Sequence, residues 1–174
     1  MPQQDSRADN ADEPVWVRGD GVNLACHVAG PSDAPVLVFV HGYPDNHSVW
    51  DKVTATLSQE YLVIRYDVRG AGRSDKPART RDYRLALLAK DLQAVVNAII
   101  PDRPFHLVAH DWGSIQSWES VTDPDLQQRI RSYTSISGPC LDHVGFWIRN
   151  QIGSPANGGT TKVLRQLASS WYVF

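Results

Sequence analysis

Long apolar runs are missing from this chain. No stretch approaches the ~20 residues that a bilayer-spanning helix needs, so no transmembrane segment is expected. Cysteine is scarce: Cys26 and Cys140 stand far apart, with neither a disulfide framework nor a C-x-x-C pair. A reduced, cytoplasmic protein is the expectation. Basic charge is not in excess. The 17 Lys and Arg face 19 Asp and Glu, for a net charge of −2 and a pI of about 6.3, which makes nucleic acid a poor candidate partner. No repeat or low-complexity tract stands out, and Met1–Pro14 lacks the charged-then-apolar pattern of a secretory signal. Asn46-His47-Ser48 spells a glycosylation sequon, which without such a signal reads as chance.

What is present is ordinary in bulk. The 174 residues are 42% hydrophobic and 21% charged, which fits a folded globular chain and excludes a disordered or collagen-like one. Six tryptophans are many for this length.

Residues 1–13 read as a disordered tail. Val15–Arg18 and Ala25–Ala29 flank Gly19-Asp20-Gly21, a hairpin signal. Val36–Val40 is five consecutive apolar residues, of the kind buried on both faces of a sheet, and Leu62–Tyr66 reads as another buried strand. Ser48 is placed as the cap of a helix bearing Val49, Val53 and Leu57. Asp82 is placed as the cap of a longer one with Leu85, Leu88, Leu92, Val95 and Ile99 along one face. Phe105–Ala109 predicts a strand, Ser114–Ser120 a helix and Tyr133–Ser137 a last strand. Strands alternating with helices predict an α/β fold with a mostly parallel sheet. After Pro139 the pattern changes. Leu141–Gln151 and Thr160–Phe174 read as helices joined by a Gly/Pro/Asn linker at Gly153–Gly159.

In a parallel sheet, chemistry gathers at the carboxyl ends of strands. Three such ends carry unusual sequences: His41-Gly42-Tyr43-Pro44-Asp45, Asp67-Val68-Arg69-Gly70-Ala71-Gly72-Arg73-Ser74, and His110-Asp111-Trp112-Gly113. In the last, Asp111 has Ala109 two residues before it and Gly113 two after. That small–x–nucleophile–x–small pattern suits a sharp strand-to-helix turn, where a larger side chain at either flank would clash. An Asp before a helix is ordinarily a cap. With these flanks it reads as a nucleophile, whose carboxylate would form an ester by attack on carbon and whose charge the helix N-terminus favours. The amides of Tyr43 and Trp112 are placed to form an oxyanion hole, with His41, Gly42, Pro44, His110 and Gly113 as the supporting turns. The Gly70-Ala71-Gly72 loop lacks the dinucleotide and P-loop signatures and reads as a structural turn.

Together these motifs resemble the α/β-hydrolase superfamily and, within it, the epoxide hydrolases. The resemblance runs from about Val15 to the C-terminus. Ser137-Gly138-Pro139-Cys140-Leu141-Asp142-His143 is further similar to actinobacterial proteins that fuse an epoxide hydrolase to a short-chain dehydrogenase. The resemblance implies a core over residues 14–139 and the beginning of a helical cap over 140–174. It implies that Asp111 opens an epoxide ring to an alkyl ester, that a cap tyrosine donates to the departing alkoxide, and that water activated by a His–acid pair hydrolyses the ester to a diol. Ser170-Trp171-Tyr172-Val173-Phe174 resembles the cap segment with the first such tyrosine. Tyr172 is therefore the candidate donor, against the alternative that it only packs the cap. The implied substrate is a small hydrophobic epoxide, and no metal or organic cofactor is called for. Trp147, Trp171 and Tyr172 suit such a substrate and equally suit packing.

The family order is nucleophile, cap, acid, histidine, and this chain stops inside the cap. Of the six histidines (His27, His41, His47, His106, His110, His143) only His143 follows the nucleophile, and it falls at the start of the cap. The catalytic His, its acid and a second cap tyrosine are thus expected to be absent. A chain ending at Phe174 is expected to stall at the ester. Two other readings stand beside this one. Haloalkane dehalogenases share the Asp and the following Trp but usually carry a polar halide-binding residue at the position of Tyr43; fluoroacetate-type dehalogenases carry an Arg at that of Trp112. A truncated, non-catalytic hydrolase-like module is the third.

Overall fold

The computed structural model describes residues 13–153 and 158–170. The predicted tail, apart from residue 13, and the predicted donor Tyr172 lie outside the described residues.

Val36–Val40 forms strand β3, buried along its whole length. Alternate side chains point to opposite faces of a strand. Val36, Val38 and Val40 therefore enter one apolar cluster, while Leu37 and Phe39 enter another. Six strands join in one sheet: β1 (Val15–Arg18), β2 (Asn23–Ala29), β3, β4 (Leu62–Tyr66), β5 (Phe105–His110) and β6 (Ile130–Ile136). Their spatial order is β1-β2-β4-β3-β5-β6. The β1–β2 and β2–β4 pairs are antiparallel and the other three pairs are parallel.

Helices cover both faces. On the larger cluster lies α2 (Leu85–Ile99), which buries Leu92, Val95 and Val96. Beside it runs α3 (Trp112–Thr122). On the smaller cluster Trp50 packs against Phe39 with ring centroids 4.9 Å apart, just before α1 (Asp51–Leu57).

Two helix starts differ from the sequence reading. Asn46, not Ser48, caps the first: its side chain accepts the Ser48 N–H. A 3₁₀ turn over His47–Trp50 precedes α1, and its tighter winding turns the inward face. Trp50 and Thr54 are buried, while Val49 and Val53 are 44% and 40% exposed. Asp82 does not cap α2. It lies within a second 3₁₀ turn, Thr80–Tyr83, with its carbonyl accepting from Arg69, and α2 begins after Arg84 without a side-chain cap.

The chain divides into two compact units, one through Gly138 and one from Pro139. The second contains α4 (Leu141–Ile152) and α5 (Gly159–Ser169), which pack together. Among the described residues no helix is long and apolar enough to cross a membrane.

Candidate active site

The strand order puts β3 next to β5, with β4 on the far side of β3. The chain leaves β3 toward one edge and β5 toward the other. A crevice opens at such a switch, beyond the carboxyl ends of the strands. Val40, the last residue of β3, pairs with Ala109. The segments His41–Pro44 and His110–Gly113 therefore leave the sheet side by side.

Asp111 sits at the turn between β5 and α3 with φ 54° and ψ −127°. A non-glycine residue held there costs of order 1–3 kcal/mol. The surroundings impose it. The Asp111 N–H donates to the Ile136 carbonyl at 2.9 Å, while its own carbonyl accepts from the amides of Ser114 and Ile115 at 2.9 and 3.0 Å. It thus occupies the cap position of α3, but its carboxylate makes no cap hydrogen bond. Instead Oδ1 accepts the backbone N–H of Tyr43 at 2.9 Å.

Two glycines make this approach possible. A Cβ on Gly113 would lie 2.5 Å from the Val40 carbonyl oxygen and would collide with that of His41. A Cβ on Gly42 would collide with the Asp111 carboxylate and lie 2.8 Å from the His110 carbonyl oxygen. Ala109 is fully buried under the turn. Ser114 closes it from below, with its hydroxyl within hydrogen-bonding distance of Tyr133 Oη, Ser135 Oγ and the Gly138 carbonyl.

His41 fastens the neighbouring loops. Its Nε2 accepts the Val68 N–H at 3.0 Å, so its Nδ1 carries the proton and donates to the Gly42 carbonyl at 2.8 Å. Burial lowers its pKa, against the pull of the Gly42 carbonyl and of Asp67. The ring is thereby held neutral, in one tautomer. The Tyr43–Pro44 peptide is cis. Tyr43 and Trp112 flank Asp111 and are 78% and 50% exposed. Trp112 opens α3, so its amide is one of the first-turn N–H groups that no helical carbonyl reaches.

The loop after β4 is closed on itself. The amides of Gly70, Ala71 and Ser74 donate to carbonyls within it, and that of Arg73 donates to Asp67 Oδ2. Those groups are spent on the turn and cannot cradle a phosphate. Arg69 forks onto Asp91 of α2, with Nε–Oδ2 2.5 Å and Nη2–Oδ1 2.6 Å, and also reaches the carbonyls of Asp82 and Asp20. The Asp91 carboxylate raises the Arg69 pKa further; burial raises that of Asp91, against the pull of the Arg69 guanidinium. The two-point fork joins side chains that are each only 1% exposed. This pair went unread in the sequence. Its signal is Asp91 itself, a charge on the same helical face as Leu88, Leu92 and Val95.

His27, His47 and Asp67 come together behind this loop. The two rings stack with centroids 3.7 Å apart and planes 16° from parallel. Lone pairs in stacked rings run side by side and do not converge on one ion. Asp67 already accepts from the His47 amide, the His47 ring and the Arg73 amide. Burial alone would raise its pKa, but these donors hold it below the usual carboxylate range. The trio braces the loop and does not fit a metal. Burial and the Asp67 charge push the nearby Cys26 thiol up to about 12.

A cavity of about 410 Å³ opens beside Tyr43, Trp112 and Gly113, lined on its far side by Val68, Tyr83, Leu88 and Gln116. Gln116 too was not singled out from the sequence. It lies one helical turn after Trp112, which puts both on one face of α3.

Comparison with known proteins gives a consistent picture. A profile for the alpha/beta hydrolase fold matches residues 35–157. A Mycobacterium tuberculosis protein named probable oxidoreductase EphD is 40% identical over 136 residues, covering 78% of this chain and 23% of that protein. Mouse epoxide hydrolase 3 is 30% identical over 138 residues, covering 79% of this chain and 36% of that one. Among solved structures, an epoxide hydrolase from Vigna radiata superposes with a TM-score of 0.63 at 28% identity, covering 70% of this chain and 38% of that chain. Epoxide hydrolase A from Mycobacterium thermoresistibile does so with a TM-score of 0.63 at 26% identity. The chain thus spans well under half the length of these relatives.

Proposed function

Because this chain belongs to the α/β-hydrolase fold family, we propose that it carries the nucleophilic half of an epoxide hydrolase site. Asp111 is the nucleophile. One carboxylate oxygen forms a bond to an epoxide ring carbon, the ring C–O bond breaks, and the electron pair leaves on the alkoxide. The alkoxide takes a proton from a cap tyrosine, for which Tyr172 is the candidate by resemblance. Water, giving up a proton to the His–acid pair that the family order places after the cap, then adds to the ester carbonyl; the amides of Tyr43 and Trp112 hold the oxyanion until the ester C–O bond breaks and the diol departs. His41, Gly42, Pro44, His110 and Gly113 shape the two turns.

One observation carries this reading. The Asp111 carboxylate does not cap its own helix; it receives a backbone amide from the loop after β3. A carboxylate present only to cap would bond the first-turn amides of α3. Strained backbone around a reactive group is the usual company of a nucleophile. The exposed Tyr43 and Trp112 rings beside it suit a small hydrophobic epoxide. Relatives from mouse and Vigna radiata bear the name epoxide hydrolase. Both cysteines are free, in keeping with a reducing cytoplasmic setting.

The test is covalent capture. The chain is incubated with styrene oxide and followed by intact-mass and peptide mass spectrometry. A gain of one epoxide mass on Asp111, lost in Asp111→Asn and slowed in Tyr172→Phe, is the expected result. Modification that persists in Asp111→Asn, or none at all, overturns it. Halide release from a haloalkane, with no reaction toward epoxides, would favour the dehalogenase reading.

A further inference from the structure

Gln116 is 5% exposed and lines the cavity beside Asp111. Its carboxamide makes no hydrogen bond among the described residues. Of the other polar side chains that line it, His41, Arg69 and Tyr83 are committed, while Tyr43 and Trp112 are exposed. His41 bonds the Gly42 carbonyl and the Val68 amide, Arg69 is forked onto Asp91, and the Tyr83 hydroxyl donates to the Pro77 carbonyl at 2.9 Å. Val68, Ala71 and Leu88 supply the rest of the surface.

A polar side chain that opens onto a cavity keeps its hydrogen-bonding capacity for whatever enters, water or a polar guest. Evolution ordinarily fills such a position with Leu or Met in a helix packed against a sheet. Gln116 faces a cavity in place of a protein neighbour, so a guest that displaces water there must match the hydrogen bonds of the carboxamide. A carboxamide offers one acceptor and two donors and no charge. The guest that matches it is neutral and both donates and accepts. The Arg69 charge is cancelled by Asp91, so the wall exerts no strong pull on an anion.

From these observations we infer that the cavity is a polar subsite for the substrate, in which Gln116 hydrogen-bonds a neutral hydroxyl or carboxamide carried on an arm of the epoxide. The Asp111 crevice takes the ring and the Gln116 pocket takes the arm. The substrate class is thereby an apolar epoxide with one neutral hydrogen-bonding group distant from the ring. The assignment rests on Asp111 as the nucleophile only for where the ring sits.

Two probes test it: an epoxide bearing a terminal carboxamide on a three-carbon arm, and its isostere with isopropyl in place of the carboxamide. The rate of Asp111 alkylation is measured for each by mass spectrometry, in the full chain and in Gln116→Leu. The carboxamide-to-isopropyl rate ratio should fall by about fivefold to tenfold in the variant, the fold-change of one net hydrogen bond. A second readout needs no covalent step. The diol of the carboxamide probe is titrated into labelled protein while the Gln116 side-chain amide resonances are followed, and they should shift together with the Trp112 indole resonance. If the rate ratio is the same in both proteins and the Gln116 resonances stay still, the subsite is overturned while Asp111 keeps its role. If neither probe alkylates Asp111 but the Gln116 resonances shift, the nucleophile falls and the subsite stands. No labelling together with no shift overturns both.

Discussion

Replacing Gly42 by Ala tests how the nucleophile is held. The added methyl group would collide with the Asp111 carboxylate, lie 2.6 Å from Asp111 Cβ and 2.8 Å from the His110 carbonyl oxygen. Two of these neighbours cannot move away freely. The carbonyl belongs to β5, and Asp111 is anchored by the bonds of its own N–H and carbonyl. The loop itself must therefore lift. Overpacking of this kind costs about 1–3 kcal/mol; a value near the middle lowers the melting temperature by about 4–8 °C for a chain of this size. Lifting the loop also draws the Tyr43 amide off Asp111 Oδ1. A displacement near ~1 Å at a reacting group can cost up to about a hundredfold in rate, so alkylation by styrene oxide should slow by at least about tenfold. Tryptophan fluorescence gives the melt and intact-mass kinetics give the rate. A variant that melts within about a degree of the parent and is alkylated at the parental rate would refute the contact between this loop and Asp111, and with it the proposed oxyanion geometry.

Two further outcomes follow from the same geometry. Asp91→Ala leaves the Arg69 guanidinium buried without its counter-charge and should cost about 3–5 kcal/mol in urea unfolding, whereas Arg69→Met combined with Asp91→Leu should recover most of that loss; a single variant within about 1 kcal/mol of the parent would show the pair to be solvated. His41 is neutral and its folded pKa lies below the ordinary value of ~6.5, so the unfolded chain binds the more protons between the two. Its contribution is complete above about pH 6.5 and is lost as pH falls through the folded pKa, and the drop in stability on acidification over this window should be smaller in His41→Gln; equal drops would refute it.

Much of the fold was legible because its signals are local. Val36–Val40 and Leu62–Tyr66 form strands with the bounds read from the sequence, since a strand buried on both faces is apolar nearly throughout, Arg65 of β4 being the one charged residue among these ten. The small residues around Asp111 were legible for a steric reason: Gly113 stands against the Val40 and His41 carbonyls, where nothing larger fits. The two misread helix starts share one cause. Ser48 and Asp82 have the right chemistry for caps, but which residue caps depends on where the preceding turn aims the backbone. Both helices are entered through 3₁₀ turns that the side-chain pattern does not announce. The apolar stripe around Asp91 carries a stronger signal than its single charge. The meaning of that charge depends on Arg69 arriving from another loop.

The amino-acid order alone determined the alternation of strands and helices, the sharp turn at Asp111 and the slight excess of acidic charge. Each of these follows from side-chain period, volume or ionisation within a few neighbouring residues. What it left open was who meets whom. Tyr43 and Asp111 are 68 positions apart, and their contact exists because β5 lies against β3 although β4 comes between them in the chain. The fork of Arg69 on Asp91, the single tautomer of His41 and the unpartnered amide of Gln116 facing a cavity have the same origin. A hydrogen bond needs its two atoms within about 3 Å, and only the packing of the sheet and its loops decides which atoms those are.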